Sequence, residues 1–127
     1  TMVCYAFVEK QGYSKFGSYV GNGNADGTFI YTGFKPAFIM VKTTAVTDEW
    51  NMFDYKRSGF NPNNDAIYAS SVVAEDAGST YAFMDMVSNG FKLRRATHSP
   101  NKASTYIYMA FAENPFVTST GVPTTAR

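Results

Sequence analysis

The sequence predicts an all-β domain, an antiparallel β-sandwich of jelly-roll or lectin-like type with about eight or nine short strands. Three observations lead there. Phe and Tyr together supply twenty of the 127 residues, and Leu93 is the only leucine. Aromatic side chains suit a pleated, half-buried surface, whereas long helices favour Ala, Leu, Glu and Lys. Apolar runs of five to eight residues recur along the whole chain, each closed by Gly, Asn, Pro or Ser. That rhythm is the pattern of a sandwich or barrel.

Taken in order, the first run is Met2–Val8, ended by Glu9-Lys10-Gln11-Gly12. Lys15–Val20 follows and stops at the turn-rich Gly21-Asn-Gly-Asn-Ala-Asp-Gly27. Thr28–Thr32 and Ala37–Lys42 come next, with Pro36 just ahead of the latter, where a missing N–H costs the ladder little. Trp50–Tyr55, Ala66–Ser70, Tyr81–Met86, Phe91–Arg95 and Thr105–Ala112 complete the series. In Phe91-Lys-Leu-Arg94 apolar and basic residues alternate, so one face should meet water. In the last run Ile107, Met109 and Phe111 share one face, and Tyr106, Tyr108 and Ala110 share the other. Both faces are apolar or amphipathic, which predicts a central strand covered on both sides. Only Ser70–Ala77 is expected to hold a helical turn.

One domain is the expectation for this length, and it is large enough to bury a core without disulfides or metals. A formal charge of +1 provides no electrostatic footprint for nucleic acid or an anionic membrane surface. No run approaches the roughly 18 apolar residues of a membrane-spanning helix. The first residues lack the layout of a signal peptide, and a chain opening on Thr1 is read as a fragment, a processed product or an engineered chain. Cys4 is the only cysteine, which fits folding in a reducing cytosol. Its place in an apolar run predicts a small buried hydrophobe.

Catalysis requires a constellation, and little in the chain builds one. His98 is the single histidine, in the polar stretch 96–101, and no serine lies in a Gly-x-Ser-x-Gly turn. One Cys and one His do not make a zinc site within one chain. Asn22-Gly-Asn-Ala-Asp-Gly27 imitates the first half of a calcium loop, but Gly33 stands where the twelfth-position carboxylate belongs. A glycine-rich hairpin connection is the better reading. Most acidic residues sit beside turns, where backbone reasons favour Asp, and nothing pairs two of them across a groove. The expectation is therefore no enzyme, no cofactor and no metal.

Loop aromatics beside polar residues remain, since a sugar ring stacks its C–H face on Trp or Tyr while neighbouring amides and carboxylates bond its hydroxyls. Tyr13, Trp50, Tyr55, Phe60 and Tyr68 lie near Asn51, Asn61, Asn63 and Asn64 in sequence. Trp50, Tyr55, Asn63 and Tyr68 are the predicted ligand contacts. The competing use of such aromatics is to fill the core of a leucine-poor domain.

The chain also matches itself. Thr1-Met-Val-Cys-Tyr-Ala-Phe-Val-Glu-Lys10 aligns with Thr105-Tyr-Ile-Tyr-Met-Ala-Phe-Ala-Glu-Asn114. Thr, Ala, Phe and Glu recur, and Val3 matches Ile107 in type. Two readings stand open on the residues alone: the opening of a tandem array, or two core strands alike by chance.

Phe16-Gly-Ser-Tyr-Val-Gly-Asn-Gly-Asn-Ala-Asp-Gly27, the Gly33-Phe-Lys-Pro36 segment running to Lys42, and Trp50-Asn-Met-Phe-Asp54 with Arg57 form a series of motifs. Ser88-Asn-Gly-Phe-Lys-Leu93 and Thr105–Phe116 complete it. Together these resemble a repeat module of bacteriophage tail fibres and related virion proteins, over about four fifths of the chain. The resemblance implies a lectin-like β-sandwich module at 13–116, preceded at 1–12 by a strand similar to the end of an earlier repeat. An extended tail is expected at 117–127. It further implies a virion protein assembled in the host cytoplasm, homotrimeric through the fibre, and attached to a host cell-surface glycan or receptor. No catalytic residues come with it. A purely structural decoration or trimerisation module is the alternative, and a capsule depolymerase fragment a third.

Overall fold

The computed structural model describes residues 1–80 and 83–116. Eight strands run β1 (Ser14–Val20), β2 (Phe29–Tyr31), β3 (Pro36–Thr43), β4 (Asn51–Asp54), β5 (Ile67–Tyr68), β6 (Met84–Val87), β7 (Gly90–Leu93) and β8 (Thr105–Ala112). One four-residue helix, α1 (Tyr55–Ser58), follows β4. The strands form two antiparallel sheets, one ordered β1-β8-β3-β4-β5 and the other β2-β7-β6. The fold is an all-β sandwich, as the run pattern predicts.

Strand β8 is central, paired with β1 on one side and β3 on the other. Tyr106, Tyr108 and Ala110 point into the core with Ile39, Val41 and Phe53 of the same sheet. Met84, Met86, Phe91 and Leu93 meet them from the smaller sheet. Aromatic rings join the layers: Phe91 lies edge-on to Tyr19 at 6.2 Å and to Tyr108 at 5.5 Å, while Tyr19 stacks on Tyr106 at 5.1 Å. Fully burying one such side chain is worth about 1.5–3 kcal/mol, so these rings supply the stabilisation that leucine supplies elsewhere. The predicted alternation at Phe91–Arg94 holds, with Phe91 and Leu93 buried and Lys92 and Arg94 turned outward.

Backbone proximity explains the Ser88-Asn-Gly motif. A Cβ on Gly90 would lie 2.1 Å from the carbonyl oxygen of Ile30, so only glycine lets β7 approach β2 there. Asn89 closes the same corner by accepting the Thr32 and Gly33 amides through its carbonyl.

Four expectations need correction. Met2–Val8 is not a strand: residues 1–9 join neither sheet and are exposed. Cys4 is consequently exposed, not buried. The helical turn lies at Tyr55–Ser58, not within Ser70–Ala77, because Asp54 caps it and Gly59 closes it in the left-handed region at φ 71°. The outer face of β8 is incompletely covered, leaving Ile107 40% exposed. The expected strand Tyr81–Met86 begins at Met84; Tyr81, Ala82 and the tail 117–127 lie outside the described residues.

Candidate functional site

The Trp50-x-x-x-Asp54-x-x-Arg57 spacing builds a clamp. The Asp54 carboxylate accepts the amides of Lys56 at 3.0 Å and Arg57 at 2.9 Å, capping α1. One helical turn then returns the Arg57 guanidinium to the same carboxylate, and its far side pairs with Glu75 and donates to the Asp65 carbonyl at 3.2 Å. Burial works to raise the pKa of Asp54, but the Arg57 side-chain and backbone bonds outweigh it and hold the carboxyl below its ordinary value. Asp65 is lowered too, by the Gly78 amide and the Ser58 hydroxyl. Asp54 and Glu75 thus meet across a guanidinium that occupies the space between them.

Trp50 precedes β4, and Tyr68 lies on the edge strand β5. The Ala69 amide donates to the Trp50 carbonyl at 3.1 Å, and Tyr68 pairs with the buried Asn51, so the Tyr68 ring lies on the core side of the sheet and the Trp50 indole on its outer face. The Ser70 hydroxyl accepts the Trp50 amide at 3.1 Å and donates to the Glu49 carboxylate. The Tyr68 hydroxyl donates to Asp76 at 3.2 Å. Burial, then the charge and hydrogen bond of Asp76 with the charges of Asp48 and Glu49, push the Tyr68 pKa up to about 12. Carboxylates therefore gather around this sheet edge.

Trp50 is 36% exposed and forms one wall of a groove of about 280 Å³ on the outer face of the larger sheet. Phe16, Met40, Ile107 and Met109 supply its floor and other walls. An indole beside an apolar trough, with carboxylates on the adjoining residues, offers a stacking surface and hydrogen-bond acceptors together.

The four predicted contacts separate into two groups. Trp50 and Tyr68 lie on neighbouring stretches of the β4–β5 ladder but on opposite faces of the sheet. Tyr55 and Asn63 lie by the clamp and are committed to the fold. Lys35 Nζ sits 3.6 Å from the Tyr55 ring centroid, covering one of its faces. Asn63 is fully buried, so its side chain does not meet a ligand; its Nδ2 donates to the Asp54 carbonyl at 2.7 Å and its backbone pairs with Met84. Of the other asparagines, Asn51 is buried and donates to the Glu49 carbonyl, and Asn61 bonds the Met86 amide and carbonyl. Sequence proximity to aromatics did not distinguish these backbone-binding amides from surface ones.

A second cleft, of about 380 Å³, went unnoticed in the sequence. Tyr31, 64% exposed, lines it with Gln11, Thr32 and the Glu9–Lys15 ion pair, whose charged atoms are 2.6 Å apart. Its signal was the outward position of Tyr31 in the Thr28–Thr32 run. His98 lines neither cleft; it contacts the Thr97 hydroxyl at 2.8 Å. The glycine turn 21–27 is held by the buried Asn101, whose Nδ2 reaches the carbonyls of Asn24 at 2.7 Å and Arg95 at 2.8 Å. Among the described residues no group of three or more His, Cys, Asp or Glu side chains is placed to hold a metal ion. None of their helices is long and apolar enough to cross a membrane.

Residues 1–115 match the family described as Domain of unknown function (DUF7483). The chain belongs to that family. Its match takes in the clamp, the Trp50 groove, the Tyr31 cleft and both self-similar segments, Thr1–Lys10 and Thr105–Asn114. No curated protein and no solved structure matches the chain.

Proposed function

We propose that this domain is a non-catalytic module of a bacteriophage tail fibre or similar virion appendage, and that it attaches to host-surface polysaccharide. The carrying observation is the partly exposed Trp50 at an apolar groove, directly following Asp48 and Glu49 in the chain. A sugar lays its C–H face on the indole, and its hydroxyls donate to the carboxylates. The motif series from Phe16 to Phe116, which resembles tail-fibre modules, supports the virion setting. Assembly into a homotrimer would multiply weak single contacts, because linked sites gain avidity well beyond one site's affinity.

Binding of purified protein to a panel of bacterial surface polysaccharides tests the reading. Trp50→Ala should reduce binding at least tenfold while leaving thermal unfolding within a few degrees, and Tyr68→Phe should have a smaller effect. Polysaccharide binding that is indifferent to Trp50→Ala refutes this site.

A second reading, a structural decoration or trimerisation module, is favoured by the groove itself. Its Phe16, Met40, Ile107 and Met109 lining is apolar enough to bury against another subunit. Sedimentation separates the two: Ile107→Asp dissociates an oligomer built on that face, whereas an assembly that leaves the groove open to sugar keeps its size. The depolymerase reading draws no support from the clamp carboxylates Asp54 and Glu75, because Arg57 pairs with both.

A further inference from the structure

The smaller sheet turns to solvent a face that neither the core nor the Trp50 groove uses. Alternation along β2 buries Ile30 and sends Phe29 and Tyr31 outward, 45% and 64% exposed. Lys92 lies opposite Phe29, and Asp85 opposite Lys92, so a ring, a cation and a carboxylate form one row across the sheet. In the next row Gly90 lies opposite Tyr31, and Val87 opposite Gly90. A Cβ on Gly90 would lie 3.1 Å from Phe29 Cε2, so the Phe29 ring leans over the bare glycine. Gly33, at φ 82°, likewise puts no side chain against the Tyr31 ring; a Cβ there would lie 3.5 Å from its hydroxyl. Two strand residues set the rings about 7 Å apart, offset along β2.

Tyr31 also lines the cleft of about 380 Å³, a volume within the range of small-ligand sites. One wall of that cleft is fastened to β1. The Ser14 hydroxyl donates to the Val8 carbonyl at 3.0 Å, and the Glu9 carboxylate accepts the Phe16 amide at 3.3 Å. Gln11 and the Glu9–Lys15 pair then give the cleft polar atoms beside the Tyr31 ring.

Charge decides what kind of ligand fits. Lys92 pairs with Asp26 at 2.5 Å, Arg94 with Asp85 at 3.0 Å and Lys15 with Glu9 at 2.6 Å. Three pairs of opposite sign leave no net charge to hold a phosphate, a sulfate or an anionic polymer. All six side chains keep contact with solvent, so their donors and acceptors stay open to hydroxyl groups. Two rings set among ion pairs also lack the continuous apolar centre of a stable protein interface. A neutral sugar meets both demands, stacking its C–H face on a ring while its hydroxyls donate and accept.

The geometry points to a second carbohydrate site, in which Phe29 and Tyr31 stack units of an uncharged sugar chain that lies along β2 and ends in the Tyr31 cleft. This site is on the opposite outer face of the sandwich from Trp50 and does not rest on what that groove binds.

Backbone-amide NMR of the 127-residue chain reads both faces in one titration. The probes are hexasaccharides of β-1,4-linked glucose, mannose and N-acetylglucosamine, with oligomannuronate of equal length as the anionic control. At least one neutral probe should shift the amides of Phe29–Gly33 and Gly90–Lys92. Tyr31→Ala should weaken that binding about tenfold, 1.4 kcal/mol, and Phe29→Ala should weaken it less. Thermal unfolding of both variants should stay close to the parent, because both side chains are exposed. Trp50→Ala should leave the β2 and β7 shifts unchanged. Neutral probes that never move those amides, or binding indifferent to the double variant, overturn the proposal. Tighter binding of oligomannuronate overturns it as well. Shifts confined to the surroundings of Trp50 refute this site and leave the other standing.

Discussion

Asn101→Ala is expected to be among the most damaging polar substitutions in the molecule. The side chain is fully buried and ties the turn 21–27 to the loop that leads from β7 to β8. Its Nδ2 lies within reach of the Asn24 carbonyl at 2.7 Å, the Arg95 carbonyl at 2.8 Å and Asn22 Oδ1 at 3.1 Å; with two hydrogens it satisfies two of them at a time. Oδ1 accepts the Asn22 amide at 3.2 Å. Three simultaneous bonds at about 1 kcal/mol each give a loss of about 3 kcal/mol. Unfolding entropy of about 2.1 cal/mol/K per residue makes that a fall of about 11 °C in Tm for a chain of 127 residues. Asn22→Ala removes one member of the same network from an exposed position and should cost about 1 kcal/mol or less. Thermal unfolding of both single variants and the double variant would show the Asn22 loss shrinking once Asn101 is gone. An Asn101→Ala protein within about 0.5 kcal/mol of the parent would refute the idea that this amide organises the turn.

Gly90→Ala drives a Cβ to 2.1 Å from the Ile30 carbonyl oxygen, so β2 must move off β7; a cost of about 2 kcal/mol or more should appear in urea unfolding. Arg57→Ala frees Asp54 and Glu75 from their shared partner and should cost about 1–2 kcal/mol at neutral pH, discounted because both carboxylates keep some solvent. Asp54 and Asp65 have depressed folded pKa values, so their stabilisation is complete above the unfolded carboxyl value of about 4. It is lost as pH falls below that through the folded values. Urea titrations at pH 7 and pH 3 should show the parent losing more stability than Arg57→Ala does. The Tyr68 pKa of about 12 lies above its unfolded value of about 10, so its contribution is complete below pH 10 and declines as pH rises towards 12. A tyrosinate absorbance titration of Tyr68→Phe should lack one late transition near that value.

The all-β class was legible because strand residues follow a period of two that local chemistry sets. Runs such as Phe91–Arg94 and Thr105–Ala112 carry it whatever their partners, and the centrality of β8 followed from its two apolar faces. The motif Asp54-x-x-Arg57 with Gly59 was equally local, a cap and a stop, although its meaning as a helix was missed. Pairing decided the rest. Met2–Val8 has a strand's pattern yet joins neither sheet, and alternation alone cannot report whether a segment finds a partner strand. Asn63 and Asn101 read as loop polar residues, yet both are buried because distant carbonyls converge on them. The β4–β5 ladder decided that Trp50 faces outward while Tyr68 turns to the core. Alternation and turn chemistry act over a few residues and survive in any context. Burial and the meeting of side chains depend on contacts between segments far apart in the chain, which only the folded sheets specify.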